Sequence, residues 1–233
     1  MCLAEVFSMA GFATYPALLP TFIEEWGLTN TEAGWISSVF FLGYMIAVPV
    51  LVSLTDRMDP RPLYLICMML FGLATLGFPL LASGMWSGMA LRSLAGVGLA
   101  GTYMPGLKAL SDHIAGPAQS RAVSFYTSSF GIGASLSFFI SGEIAARWSW
   151  QWAFYAATAG PALAFLLVLF YLPARSQPPH AQRGGSLADF FSVLRNRLAM
   201  GYVACYTAHN FELFGFRSWV VAFLAFSQSL QPG

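Results

Sequence analysis

AGWISSVFFLGYMIAVPVLVSL fills positions 33–54, TDRMDPRP fills 55–62, and LYLICMMLFGLATLGFPLLAS fills 63–83. Neither long run holds a charged side chain; the short segment between them holds Asp56, Arg57, Asp59 and Arg61. About 20 mostly apolar residues in a helix cover the hydrocarbon thickness of a bilayer. The pattern therefore reads as two membrane-crossing helices joined by a tight polar turn. Working outward, comparable runs cover approximately 2–22, 86–111, 120–143, 151–172 and 199–226. Alternating ten-residue segments, the mark of a membrane β-barrel, are absent. The expected fold is an all-α membrane protein with about seven transmembrane helices.

Composition agrees. Hydrophobic types make up 57% of the 233 residues and charged types 9%. Soluble domains carry roughly 25% charged residues. So few charges cannot cover a water-facing surface, and the lipid bilayer becomes the expected surrounding partner. A net charge of +1 offers no basic patch for nucleic acid. Cys2, Cys67 and Cys205 lie far apart in apolar stretches, a spacing that suits neither a metal site nor a disulfide. No cofactor is called for. The start MCLAEVFSMAG lacks the basic region and cleavage site of a signal peptide. No nucleophile elbow, phosphate loop or paired-carboxylate pattern suggests an enzyme.

Loop charge sets an expected orientation. Arg57 and Arg61, Lys108 and Arg121, and Arg175, Arg183, Arg195 and Arg197 occupy alternate connections. The opposite connections hold Arg147, with Glu24, Glu25 and Glu32 between the first two spans. Basic loops remain in the cytoplasm, so the N-terminus is expected there. One connection is long. Residues 173–197 read as a cytoplasmic linker, and SLADFFSVLRN within it has Leu187, Phe190, Phe191 and Leu194 at helical spacing, which predicts a short interfacial helix. Residues 1–172 then form a six-helix unit, and 198–233 hold one further helix. Ala4, Phe7, Gly11 and Phe12 recur as Ala208, Phe211, Gly215 and Phe216. The repeat suggests that the seventh helix opens a second, incomplete half.

Motifs sharpen this. Leu54, Asp56, Arg57 and Arg61 fill four positions of a pattern that resembles the cytoplasmic signature of the major facilitator superfamily. Val52, Asp59 and Pro60 depart from it. Arg92-x-x-x-Gly96-x-Gly98-x-x-Gly101 resembles the family's fourth helix. Gly131, Gly133 and Gly142 resemble its glycine-rich fifth, with Ser137-Phe138 where Gly-Pro is usual, and Trp148, Trp150 and Trp152 resemble the aromatic entry to the sixth. The resemblance implies a secondary transporter that moves a small-molecule substrate by alternating access, driven by a gradient. It implies a cytoplasmic gate at Asp56, Arg57, Arg61, Asp112 and Arg121, and a cavity lined by the first, fourth and seventh helices. A bacterial inner (plasma) membrane is the expected location.

Ionisable residues inside spans are costly and are functional candidates for that reason. Glu5, Arg92, His209, Glu212 and Arg217 are the candidates for substrate binding or proton coupling. His209 and Glu212 share a helical face, which suits proton-coupled symport. Arg92 and Arg217 point toward an organic or inorganic anion, with Arg217 alternatively a counter-ion to Glu212. Small residues pack helices closely; Gly96, Gly98, Gly101, Gly131, Gly133, Ser135 and Gly142 are the expected packing positions, with Ser124, Ser128, Gly131, Ser135 and Gly142 as a seam. Two other readings compete. A truncated half would not transport alone. A seven-helix receptor suits the helix count, but the sole lysine, Lys108, lies outside the last helix, where a retinal protein needs one.

Overall fold

The computed structural model describes residues 1–55, 58–114, 116–173 and 194–231. These residues are helical and contain no strand. The first hydrophobic run divides into α1 (Cys2–Ser8), a 3-10 turn (Met9–Gly11), α2 (Thr14–Ala17) and α3 (Leu19–Glu25). Long helices follow: α4 (Asn30–Thr55), α5 (Pro60–Leu81), α6 (Met85–His113), α7 (Pro117–Arg147), α8 (Trp150–Tyr171) and α9 (Arg197–Ser229). Of these, α4, α5, α7 and α8 are long and apolar enough to cross a membrane. α6 and α9 have the length, but they carry charges within their apolar runs. Residues 186–193 of the expected interfacial helix and the gate residues Asp56 and Arg57 lie outside the described residues.

Local signals set the helix starts. Thr29 Oγ1 accepts from Glu32 N at 3.2 Å, while Thr29 N donates to Glu32 Oε2 at 2.8 Å, a reciprocal cap that opens α4. Asp59 caps α5 by accepting from Arg61 N at 3.0 Å, with proline in the first turn. Gly116, at φ +71°, turns the chain into α7. Asn196 accepts from Leu198 N and Ala199 N to begin α9.

α6 is the centre of the bundle and packs most extensively on α4 and α5. Glycine makes this approach possible. A Cβ at Gly96 would fall on the Phe40 carbonyl, one at Gly98 would lie 2.6 Å from Phe71 N, and one at Gly101 would meet Cys67 Sγ. Side chains such as Met45, Ile46, Ile66, Met69 and Leu73 stay exposed on α4 and α5. In water such a surface would aggregate; lipid solvates it. Two apolar clusters fill the interior. One centres on Phe12, Phe40, Met68, Phe71 and Leu99. The other centres on Tyr15, Phe22, Phe78, Trp150 and Phe154. Trp150 belongs to that second core at 8% exposed, whereas Trp148 and Trp152 face outward.

The break in the first span was read from sequence as one continuous helix. Pro16 and Pro20 remove the donors for the carbonyls of Phe12 and Pro16, the span breaks, and the backbone groups left at the break must find partners away from water. Ser137 of α7 supplies two. Its Oγ accepts from Ala13 N at 3.0 Å and donates to the Ala10 carbonyl at 2.6 Å. Ser141 Oγ donates to Thr14 Oγ1 at 3.0 Å. This corrects the expected seam of α7. Its buried face is Tyr126, Ser129, Gly133, Ser137 and Ser141. Gly131 and Gly142 have nothing within 4 Å of a built Cβ, and Ser124, Ser128 and Ser135 are exposed, so the seam is rotated from the one read in sequence. Gly133 does pack closely, with a Cβ 2.7 Å from Met9 Cβ. Ser137→Ala removes both bonds to a broken backbone and is expected to destabilise the chain by about 1–3 kcal/mol. A thermal midpoint in detergent equal to wild type would count against this role.

Candidate functional site

Glu5 lies in α1 and is fully buried. Tyr126 Oη donates to its Oε2 at 2.8 Å. Ser8 Oγ lies 2.8 Å from the Glu5 backbone carbonyl and 3.4 Å from Oε2. Oε1 is buried without a partner, as is the Tyr64 hydroxyl. Tyr126 Oη is also 3.1 Å from the Tyr103 carbonyl and 3.3 Å from that of Thr102. One hydroxyl proton thus has three acceptors in reach. When Glu5 is ionised the proton serves the carboxylate. When Glu5 is protonated, the carboxyl can donate to Tyr126, whose own proton is freed for the Tyr103 carbonyl. The arrangement can hold Glu5 in either state without opening the site to water.

Arg92, in α6, is 4% exposed. Its guanidinium carbon stands 4.1 Å from the Phe40 ring centroid and 5.5 Å from that of Tyr15. Its Nε is buried without a hydrogen-bond partner, and no carboxylate of the described residues pairs with it. Aromatic faces attract a cation, but they do not satisfy its N–H groups. Arg217, in α9, repeats the pattern. Its guanidinium carbon lies 6.0 Å from both Phe130 and Phe214, and its Nη1 is buried without a partner.

The two cations share an aromatic cluster. Phe12 meets Phe40 at 5.9 Å, Phe130 at 5.8 Å and Phe214 at 6.3 Å between centroids. Tyr103 stacks on Tyr126 and packs against Phe130, both at 5.6 Å. Rings therefore run from the carboxylate to both guanidinium groups. α9 joins through Phe214 on Phe41 at 5.0 Å and through Trp219, which faces Gly34. Its segment 201–209 is exposed.

The other residues singled out from sequence fall elsewhere. His209 and Glu212 are exposed, and no bond joins them, nor does Glu212 pair with Arg217, so the expected His–Glu pair and the Arg217 counter-ion are not formed. Arg61 Nη2 donates to the Leu169 carbonyl at 2.7 Å, which caps the end of α8. Asp112 sits 3.9 Å from Lys108, and Arg121 is exposed. Sequence reading missed Tyr126, Phe12, Phe40 and Phe130. Tyr126 was legible only as the residue seven before Gly133, on the same face of α7.

Lipid-facing helices around a glycine-packed centre, with Glu5 and Arg92 buried inside, define a polytopic α-helical membrane protein. The chain belongs to the Major Facilitator Superfamily, whose family model matches residues 1–231. It is 26% identical over 215 residues to Protein spinster homolog 3 of Danio rerio, covering 88% of this chain and 43% of that protein. It is 25% identical over 137 residues to the niacin transporter NiaP of Acinetobacter baylyi, covering 59% of this chain and 31% of that one. Among solved structures it resembles a bacterial homolog of the human lysosomal transporter Spinster, in an inward-facing, unoccupied conformation. There the TM-score is 0.72 at 15% identity, with 96% of this chain and 54% of that one covered. The chain spans less than half the length of these curated relatives.

Proposed function

We propose that residues 1–172 form one half of a secondary carrier for small organic anions. Residues 173–197 act as its cytoplasmic linker, and 198–233 open the second half. The N-terminus is cytoplasmic, and the carrier sits in a bacterial inner (plasma) membrane. The observation that carries this reading is a pair of arginines set on one ring cluster, Arg92 buried and Arg217 half-buried, each with a buried nitrogen that has no hydrogen-bond partner among the described residues. A desolvated cation in a bilayer is costly unless something completes it. A carboxylate or phosphate from the solute does so while bound, and a site complete only when occupied suits alternating access. Glu5 is the proton-coupling group: it is the buried carboxylate among the described residues, the ring chain links it to both arginines, and Tyr126 can hold its hydrogen bond in both protonation states. His209 and Glu212 line the path completed by further helices. Asp56, Arg57, Arg61, Asp112 and Arg121 bias the cytoplasmic gate.

The test is uptake into proteoliposomes by the full-length carrier. A proton gradient should drive accumulation of an organic anion in wild type. Glu5→Gln, fixed in the neutral form, should keep exchange of labelled for unlabelled anion and lose accumulation at least about tenfold. Gradient-driven accumulation equal to wild type would remove Glu5 from coupling.

A further inference from the structure

The proposal here rests on the anion reading above and names the kind of anion. We infer that the site selects carboxylates with a planar, apolar body over polyhydroxylated acids of equal charge. Both guanidinium groups lie on ring faces: Arg92 on Phe40 and Tyr15, Arg217 on Phe130 and Phe214. A guanidinium held by its face keeps its in-plane N–H groups for a carboxylate. The atoms attached to that carboxylate must then lie among Phe12, Phe40, Phe130 and Phe214, which meet one another edge to face around Phe12.

The surroundings decide what body fits. A flat ring entering this cluster exchanges ring–ring contacts for ring–ligand contacts of the same type, edge to face or offset. A sugar acid brings several hydroxyl groups. Each needs a partner once water is excluded, and the rings offer none. Near Glu5 the Tyr126 and Ser8 hydroxyls are already engaged, and the buried Tyr64 hydroxyl has no partner. Ser37 Oγ, on α4 one turn before Phe40 and Phe41, is buried and unpartnered, so a single polar substituent on the ring is compatible. A chain of hydroxyls is not. Discrimination by unpaired buried hydroxyls amounts to about tenfold per group.

The experiment uses the full chain in detergent micelles, with benzoate and gluconate as probes of equal charge and binding read by titration calorimetry. Benzoate should bind at least about tenfold more tightly than gluconate. Phe214→Leu, which keeps apolar bulk without the ring, should weaken benzoate several-fold and leave gluconate unchanged; Phe12→Leu provides the same comparison from α1. Equal affinities, both lost in Arg92→Gln, would overturn the selectivity while the anion site stands. Binding of neither probe would overturn the anion reading and this inference with it.

Discussion

Gly96→Ala is expected to prevent the bundle from closing. The added Cβ would fall on the Phe40 carbonyl oxygen, 2.9 Å from its carbon and 3.1 Å from Tyr44 N. These are backbone atoms of a helix, so they cannot rotate aside as a side chain would. α4 and α6 must separate, and the neighbouring approach of Gly43 to the Ser93 carbonyl is lost with them. Helices in lipid gain little from hydrophobic exclusion and depend on close packing, so no other contact compensates. The expected destabilisation is about 3 kcal/mol or more. It should appear as loss of the monodisperse peak in size-exclusion chromatography after solubilisation. Gly131→Ala is the control. Nothing lies within 4 Å of its Cβ, and alanine favours helix over glycine by up to about 1 kcal/mol. The control should equal or exceed wild-type stability. If both alanine variants behave alike, the close approach of α4 and α6 is wrong.

Arg92→Met is expected to move stability and binding in opposite directions. In the unliganded chain Arg92 is 4% exposed, lies on two ring faces and has an unpartnered Nε. Replacing a buried, uncompensated charge by an apolar side chain of similar length often stabilises a protein by about 1–4 kcal/mol. The thermal midpoint without ligand should therefore rise. Removing the partner of a desolvated carboxylate costs about 2–5 kcal/mol of binding, which at 1.4 kcal/mol per decade is roughly 30- to several thousand-fold in affinity. Organic-anion binding should fall by that factor. Arg92→Lys should recover part of it, since lysine keeps the charge and loses the planar fork. A structural arginine would give the reverse result: lower stability in the methionine variant with anion affinity intact.

How much of the site could be read from sequence differs from residue to residue. Arg92 and Arg217 stood out because a charge within an apolar run is conspicuous without any structure. Glu5 stood out for the same reason, but its partner did not. Tyr126 lies more than a hundred positions away, and a tyrosine in a membrane helix is unremarkable until a carboxylate is found beside it. His209 and Glu212 are neighbours by helical spacing, yet spacing does not oblige two exposed side chains to bond. Ser137 was noted as a departure from a glycine–proline motif; its use was visible only once the break at Ala10–Thr14 came to lie against it.

What the sequence determined was the class of fold, the placement of the long helices and the positions of the buried charges. Those properties are local: run length, capping residues such as Thr29, Asp59 and Asn196, and the cost of charge in hydrocarbon. What only the tertiary structure decided was the rotation of each helix about its own axis. In water an apolar stripe reveals which face is inward. In lipid both faces are apolar, so the pattern of α7 does not distinguish the stripe through Gly131 and Ser135 from the one through Gly133 and Ser137. Packing against the broken first span selects the second, and with it brings Tyr126 to Glu5 and Phe130 to Arg217.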